Sequence, residues 1–143
     1  MSSSTSFLPE EINGSLRKAI ELVAEVALFT IPEPEGVHPV PKEWVQAAIG
    51  FRSDSHQGRL VLAAPNGTMQ TFYERLVGET APDAAAAEDV LFEICNMVCG
   101  RLLGMRHPHD AFQLSREPGS PRIVEGEMVQ LDSEPLAVAV EGV

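Results

Sequence analysis

The sequence predicts an α+β fold, a two-layer sandwich in which helices cover one face of an antiparallel sheet of about six strands. A chain of 143 residues that is 44% hydrophobic suits one domain with a sizeable core. Its periodic segments run in the order helix, three strands, two helices, three strands. Short turns join consecutive strands, so those strands are antiparallel. This order predicts a pseudo-duplicated helix-plus-three-strands unit, although the two halves share no obvious sequence repeat.

The first half of the chain begins with a predicted helix. Residues 1–8 are polar and predicted to be disordered, which leaves 9–143 as a single domain. Apolar residues recur at helical spacing from Ser15 onward and lie nearly all round the helix, which indicates a largely buried one. Prolines then end the helix and favour extended chain. A strand is predicted at 36–40, at an edge of the sheet, where proline is tolerated.

A hairpin and a short helix follow. Alternating apolar residues at 44–51 and 59–64 predict two strands, and the polar run 53–58 between them predicts the turn. Three apolar residues of segment 69–76 recur at helical spacing, and Gly78 is a suitable stop for that short helix.

The second half begins with a long helix. Asp83 is a suitable N-cap, and the helix is expected to end near Gly104. Three extended segments follow, at 111–116, 122–131 and 135–140. The last of them, with alternating Leu136, Val138 and Val140, is interpreted as an exposed edge strand through which the domain self-associates.

Charge and cysteine content limit the function classes. Ten Lys and Arg residues against 21 Asp and Glu residues give a formal net charge of −11, which argues against binding to nucleic acid or to an anionic membrane surface. No apolar run reaches the roughly 18 residues of a membrane-spanning helix, and the N-terminus has no signal-peptide pattern. The two cysteines, Cys95 and Cys99, form no disulfide framework and are interpreted as buried reduced thiols. The expected protein is cytoplasmic, without membrane insertion.

A polar stripe on the long helix is the most informative feature. Asp89, Glu93, Asn96 and Gly100 fall within an arc of about 60°, opposite an apolar stripe. The apolar stripe consists of Leu91, Ile94, Val98 and Leu102. Glycine within a helix costs about 1 kcal/mol relative to alanine and leaves a notch that a partner backbone could approach. Ordinary solvated positions remain the simpler alternative for Glu93 and Asn96.

This stripe resembles the signature of the CheX/CheC family of chemotaxis phosphatases. That signature has Asp or Ser, three residues, Glu, two residues and Asn, with a proline some twenty residues later. This chain has Asp89-Val-Leu-Phe-Glu93-Ile-Cys-Asn96 and continues Met-Val-Cys-Gly100. Either Pro118 or Pro121 could be the family proline. The resemblance covers roughly residues 44–130 and implies a CheC-like fold with one motif, because the first helix has no matching asparagine.

The resemblance implies hydrolysis of the aspartyl phosphate on a CheY-like response-regulator receiver domain. Asn96 would then place the attacking water, and Glu93 would pair with a lysine of the regulator. Asp89 and Gly100 would contact the partner. Such an enzyme needs no cofactor or metal of its own, because the phosphorylated regulator supplies Mg²⁺. The resemblance also implies a homodimer.

Three alternatives remain open at this stage. The same surface could bind a receiver domain without turnover, as a sensor or scaffold. The domain could also be a structural dimer unit of a larger assembly. His107-Pro-His109-Asp110 could suggest a metal site, but a solvated turn is the simpler interpretation, and His56 lies in a separate polar loop that carries no evident signal.

Overall fold

The computed structural model describes residues 10–28, 30–118 and 125–142, and this part of the chain forms one six-stranded antiparallel sheet and three α-helices. The strands are β1 (Glu33–Pro39), β2 (Val45–Arg52), β3 (Gln57–Ala64), β4 (Gln113–Glu117), β5 (Glu125–Leu131) and β6 (Glu134–Gly142). The helices are α1 (Glu10–Val23), which continues as a π-helical turn over Ala24–Leu28, α2 (Asn66–Val77) and α3 (Ala84–Arg106). The predicted fold class is confirmed.

The order of the strands shows the predicted duplication. The sheet runs β1-β5-β6-β3-β2-β4. Exchanging β1 with β4, β2 with β5 and β3 with β6 gives the same order read from the other edge, so the two halves are related by a pseudo-twofold axis between β6 and β3. Each half lends a strand to the other, because β1 pairs with β5 and β4 pairs with β2.

The main core lies between the helices and one face of the sheet. Every second residue of β2, β3 and β6 points into it, which is the period expected of a strand packed on one side. These residues pack against the apolar sides of α1, α2 and α3 in a single cluster. These three strands contribute Ala47, Ile49, Phe51, Leu60, Leu62, Ala64, Leu136, Val138 and Val140, and β5 adds Val129 and Leu131.

Helix ends follow the expected local chemistry. The Asp83 side chain caps α3 by accepting a hydrogen bond from the Ala86 N–H at 2.8 Å, as predicted. Gly78 ends α2 in the left-handed conformation, with φ of 91°, and its N–H donates to the Glu74 carbonyl at 2.9 Å. The helix α3 extends to Arg106, slightly beyond the predicted end, and His107 caps it by donating its N–H to the Leu103 carbonyl.

The opposite face of the sheet has its own small cluster. Val40 and Trp44, from the segment between β1 and β2, pack there against Ala63, Met128 and Ala137. Trp44 was predicted to begin a strand, whereas β2 begins at Val45.

The prediction that 135–140 is an exposed edge strand is wrong. β6 lies in the middle of the sheet and pairs with β5 on one side and β3 on the other. Its residues are buried on both faces, because Leu136, Val138 and Val140 enter the main core while Ala137 and Ala139 are buried on the other face. The strand has no free edge, and the edges of the sheet are β1 and β4.

Other boundaries differ by a few residues. β1 spans Glu33–Pro39 rather than 36–40, β3 begins at Gln57, and β4 spans Gln113–Glu117 rather than 111–116. The predicted disordered segment 1–8 and the first part of the segment predicted at 122–131 lie outside the described residues. None of the helices that the structure describes is long and apolar enough to cross a membrane.

Candidate functional site

The polar stripe of α3 faces outward. Asp89, Glu93, Asn96 and Gly100 are all exposed, while the apolar stripe on the other side of the helix is buried in the main core. The rotation predicted for this helix is therefore confirmed. The stripe presents a carboxylate and a carboxamide one turn apart on a rigid, well-packed element, which is the placement that a docking or catalytic pair requires.

Glu93 and Asn96 line a cleft of about 230 Å³ between α3 and the edge strand β4. α3 supplies one wall and β4 the opposite wall, and apolar side chains from both border the polar pair. Besides Glu93 and Asn96, its lining consists of Ile49, Phe92, Leu114, Ser115 and Arg116. Once a partner covers the cleft, the apolar border can exclude bulk water from the polar pair. The electrostatic interactions of Glu93 and Asn96 are stronger in such a water-poor site.

Arg116 is a candidate site residue that the sequence analysis did not single out. Its guanidinium donates to Asp89 Oδ1 at 3.1 Å and lies 4.5 Å from the centre of the Phe92 ring. These two contacts orient a positive charge beside Glu93 and Asn96. Its strand was predicted, but the pairing of that strand with β2, which brings Arg116 to α3, carries no local sequence signal.

The cleft continues along α3 past the glycine notch. A second cleft of about 210 Å³ is bordered by Gly100, Gly104 and His107, and it shares Leu114 with the first. Apart from its chain neighbours and the backbone of its own helix, a Cβ atom built on Gly100 would meet no atom within 4 Å, so the notch is open space. We call the two clefts together the α3/β4 groove. It extends from Phe92 to the end of α3.

The pseudo-equivalent surface on α1 lacks the motif. The buried positions Leu16, Ala19, Ile20, Val23 and Ala24 of the first helix repeat the spacing of Leu91, Ile94, Cys95, Val98 and Cys99 in α3. The same offset places Lys18 where α3 has Glu93 and Glu21 where it has Asn96. Those two α1 side chains form an exposed ion pair at 3.5 Å. The duplicated fold therefore carries one copy of the Glu and Asn pair.

Two prolines follow the motif in the sequence. Pro118 is exposed and comes directly after β4, whose residues Leu114, Ser115 and Arg116 line the groove. Pro121 lies outside the described residues.

The two cysteines do not belong to the groove. Both are buried on the core side of α3 and are free thiols, as predicted. Burial raises the pKa of Cys99 to about 12, and burial together with the nearby Cys99 raises the pKa of Cys95 still further. The thiols are thus protonated and unreactive at neutral pH.

A larger cleft of about 880 Å³ shares Leu114 and Ser115 with the first cleft but contains neither Glu93 nor Asn96. It is lined mainly by residues on the sheet face opposite the helices, at the ends of β2, β3, β4 and β6. Arg59, one of two arginines in its lining, is bound by Glu141 at 2.6 Å and approached by Glu117 at 3.9 Å. We assign the candidate site to the α3/β4 groove, because the groove combines exposed polar side chains with an apolar border.

Comparison with known proteins identifies a family that matches most of the chain. Residues 45–134 match the family described as chemotaxis phosphatase CheX, a range that contains the whole polar stripe and most of the sheet. No curated protein sequence matches the chain.

Solved structures share the fold at low identity. The CheX-CheY-BeF₃-Mg²⁺ complex from Borrelia burgdorferi aligns with a TM-score of 0.70 and 16% identity over 92% of this chain and 97% of that chain. CheX from Vibrio vulnificus aligns with a TM-score of 0.70 and 15% identity over 93% and 97%. CheX from Desulfovibrio desulfuricans aligns with a TM-score of 0.70 and 15% identity over 93% and 99%.

Proposed function

We propose that this chain, which belongs to the CheX family of chemotaxis phosphatases, uses Glu93 and Asn96 in the α3/β4 groove to hydrolyse the aspartyl phosphate of a CheY-like receiver domain. The family supplies the activity, a phosphatase that acts on a phosphorylated CheY-like response regulator. The observation that carries the location is that both side chains are exposed and line one cleft.

Asn96 has the chemistry to place the attacking water. A carboxamide both accepts a hydrogen bond from water and donates one to it, so it can hold the oxygen in line with phosphorus. Attack of that oxygen breaks the bond between phosphorus and the aspartyl oxygen, and the products are inorganic phosphate and the free aspartate. Phosphoryl transfer depends mostly on positioning and charge neutralisation, so a neutral amide is sufficient.

Glu93 serves docking in this proposal. Its carboxylate lies one turn before Asn96, on the same exposed side of α3. A lysine at the phosphorylation site of the receiver would pair with it and set the register of the two proteins. The apolar border of the cleft, with Phe92 and Leu114, would exclude water from that ion pair and strengthen it.

The Mg²⁺ required for the reaction belongs to the phosphorylated receiver in this proposal. The chain would contribute no nucleophile and no cofactor to the chemical step. Asp89 and Gly100 would contact the partner at the two ends of the stripe. The receiver's metal would neutralise the phosphoryl oxygens while Asn96 positions water, so the two proteins would assemble one active site between them.

Single-turnover dephosphorylation of a CheY-like receiver tests this division of roles. Asn96→Ala is expected to slow hydrolysis by about 10²-fold or more while binding to a beryllofluoride-activated receiver stays nearly unchanged. Glu93→Ala should weaken both binding and turnover. The matched control is Glu21→Ala in the pseudo-equivalent helix α1, which should change neither.

Two outcomes would decide against the proposal. An active wild-type protein whose rate is unchanged by Asn96→Ala would remove the pair from the mechanism. A wild-type protein that binds the activated receiver tightly yet releases no phosphate would instead support the second candidate function, a receiver-binding scaffold. The complete Glu93 and Asn96 pair on an open cleft favours the enzyme.

We further propose that the protein is a cytoplasmic homodimer, formed through one of the two edge strands, β1 or β4. Those strands carry the unpaired backbone groups of the sheet, and such groups favour pairing with a second strand. Static light scattering tests the dimer, and a monomeric mass at high micromolar concentration would contradict it.

A further inference from the structure

Three side chains that commonly bind metal ions converge at the end of the α3/β4 groove, away from Glu93 and Asn96. His56 comes from the turn between β2 and β3, and His107 and Asp110 come from the segment after α3. Their ligating nitrogen and oxygen atoms all lie within 4.8 Å of one another, and all three residues are half-buried. We propose that His56, His107 and Asp110 bind one divalent transition-metal ion of the zinc class.

The spacing of His56 and Asp110 suits two ligands of one metal. His56 Nδ1 and Asp110 Oδ2 lie 3.0 Å apart, within hydrogen-bond distance. Two ligands of a tetrahedral zinc ion, each bonded at 2.0–2.1 Å, lie about 3.3 Å apart. A cation can therefore bind between these two atoms with little movement of either side chain.

His107 requires a small adjustment. Its ring stacks on that of His56, with centroids 3.8 Å apart and planes inclined by 31°. A metal lies in the plane of each imidazole that binds it, so the His107 ring must turn about its Cβ–Cγ bond. The present separation of at most 4.8 Å leaves about 1.5 Å to close. The adjustment proposed is a rotation of the His107 side chain.

The surrounding hydrogen bonds already orient the Asp110 carboxylate and fix the backbone around the cluster. The Ser53 hydroxyl donates to Asp110 Oδ2 at 3.1 Å and accepts the backbone N–H of His56 at 3.1 Å. The Asp110 N–H donates to the His107 carbonyl at 3.1 Å. Such bonds from neighbouring groups commonly hold metal ligands in place and adjust their basicity. They also join two loops that lie more than 50 residues apart in sequence.

The donor set selects the class of metal. Two imidazole nitrogens and one carboxylate favour Zn²⁺, Ni²⁺ or Cu²⁺, whereas Mg²⁺ prefers oxygen ligands. Three protein ligands leave a fourth position for water. This site would be separate from the receiver's Mg²⁺, and its effect would be to tie the β2–β3 turn to the C-terminal end of α3. It revises the expectation that the chain has no metal of its own.

Calorimetric titration of the untagged, chelator-treated protein with ZnCl₂ tests the site. We expect one equivalent of zinc to bind, with a rise in melting temperature because the metal binds the folded state. MgCl₂ should produce neither effect. His107→Asn and Asp110→Asn should each weaken zinc binding at least tenfold. His109→Asn is the matched control, because it lies in the same loop outside the cluster, and it should bind zinc like the wild type.

A second readout uses the unaltered protein and so does not depend on the folding of the variants. Zinc should shift the ring nitrogen signals of two histidines in long-range nitrogen-15 NMR spectra of the wild type, and sequential assignment of those spectra should identify them as His56 and His107. Absence of one-equivalent zinc binding would overturn the proposal. Equal zinc binding by the wild type and His107→Asn, or shifts confined to His38 and His109, would overturn it as well.

Discussion

Arg116 brings a positive charge to a groove on an otherwise acidic protein. It lines the same cleft as Glu93 and Asn96, and Asp89 and Phe92 hold its guanidinium in place. A phosphorylated receiver presents phosphoryl oxygens and acidic side chains around its metal. An arginine at the rim of the cleft can donate charge-assisted hydrogen bonds to such groups.

We expect Arg116→Ala to raise the KM for the phosphorylated receiver by about tenfold, the loss typical of one charge-assisted hydrogen bond, and to lower kcat much less. Steady-state kinetics with a fixed Mg²⁺ concentration measures both constants. Arg52→Ala, on the sheet face away from the helices, is the matched control. A fall in kcat equal to that of Asn96→Ala would instead place Arg116 at the chemical step.

At the scale of the element, α3 separates stability from function on its two sides. Leu91 is fully buried and Glu93 is exposed two residues later. Leu91→Ala should lower the free energy of unfolding by about 2–5 kcal/mol, as core truncations do. Glu93→Ala should change it by less than about 0.5 kcal/mol. Urea denaturation compares the two, and a large loss for Glu93→Ala would mean that its side chain supports the fold.

The glycine notch gives a second prediction for this helix. Gly100→Leu should not lower the free energy of unfolding, because the position is open and leucine has a higher helix propensity than glycine. The new side chain should fill the α3/β4 groove and reduce receiver binding by at least tenfold. The matched control is Gly14→Leu in α1, which is also exposed and open.

Receiver binding measured by calorimetry, together with melting temperature, checks both parts of this prediction. Unimpaired binding by Gly100→Leu would show that the partner does not approach α3 at the notch. Impaired binding by Gly14→Leu would show that the loss does not depend on the groove.

At the scale of the whole molecule, Asp132 joins three parts of the fold. It occupies the β5–β6 turn with φ of 53°, and it accepts hydrogen bonds from Thr30 Oγ1 at 2.9 Å and from Arg75 of α2 at 2.7 Å. Arg75 also donates to the Leu28 carbonyl at 3.2 Å. The turn is thereby fastened to α2 and to the end of the first helix.

The hydrogen bond from Arg75, and then that from Thr30, lower the pKa of Asp132 below its ordinary value of 3.8. A carboxyl group whose pKa is lower in the folded state contributes stability above its unfolded pKa and loses it as pH falls through the folded pKa. Asp132→Asn should therefore be less stable than the wild type at pH 7. The difference should shrink as pH falls below 3.8.

Thermal unfolding between pH 7 and pH 2 measures this convergence, and Asp54→Asn in the exposed β2–β3 turn is the control. The pKa of Asp110 is also lowered, mainly by its hydrogen bond with His56. Because Asp110 is present in both proteins, it does not affect the comparison. A constant difference between wild type and Asp132→Asn across this range would show that charge is not what Asp132 contributes.

Local patterns were sufficient for much of this protein. Apolar spacing of 3.6 residues established which side of α3 is buried, because a helix must bury its apolar stripe wherever it packs. Capping chemistry located Asp83 and Gly78, and alternation predicted the β2–β3 hairpin. The Asp89 to Gly100 stripe also follows from helix geometry, since its members lie within four turns of one element.

Pairings between distant segments needed the tertiary structure. The place of β6 in the centre of the sheet, the approach of Arg116 to α3 and the meeting of His56 with His107 and Asp110 all depend on how strands from the two halves interleave. A strand's neighbours are chosen by the packing of the whole sheet rather than by its own residues. The alternation of Leu136, Val138 and Val140 predicted a strand, but its burial on both faces depended on partners that the local sequence does not specify.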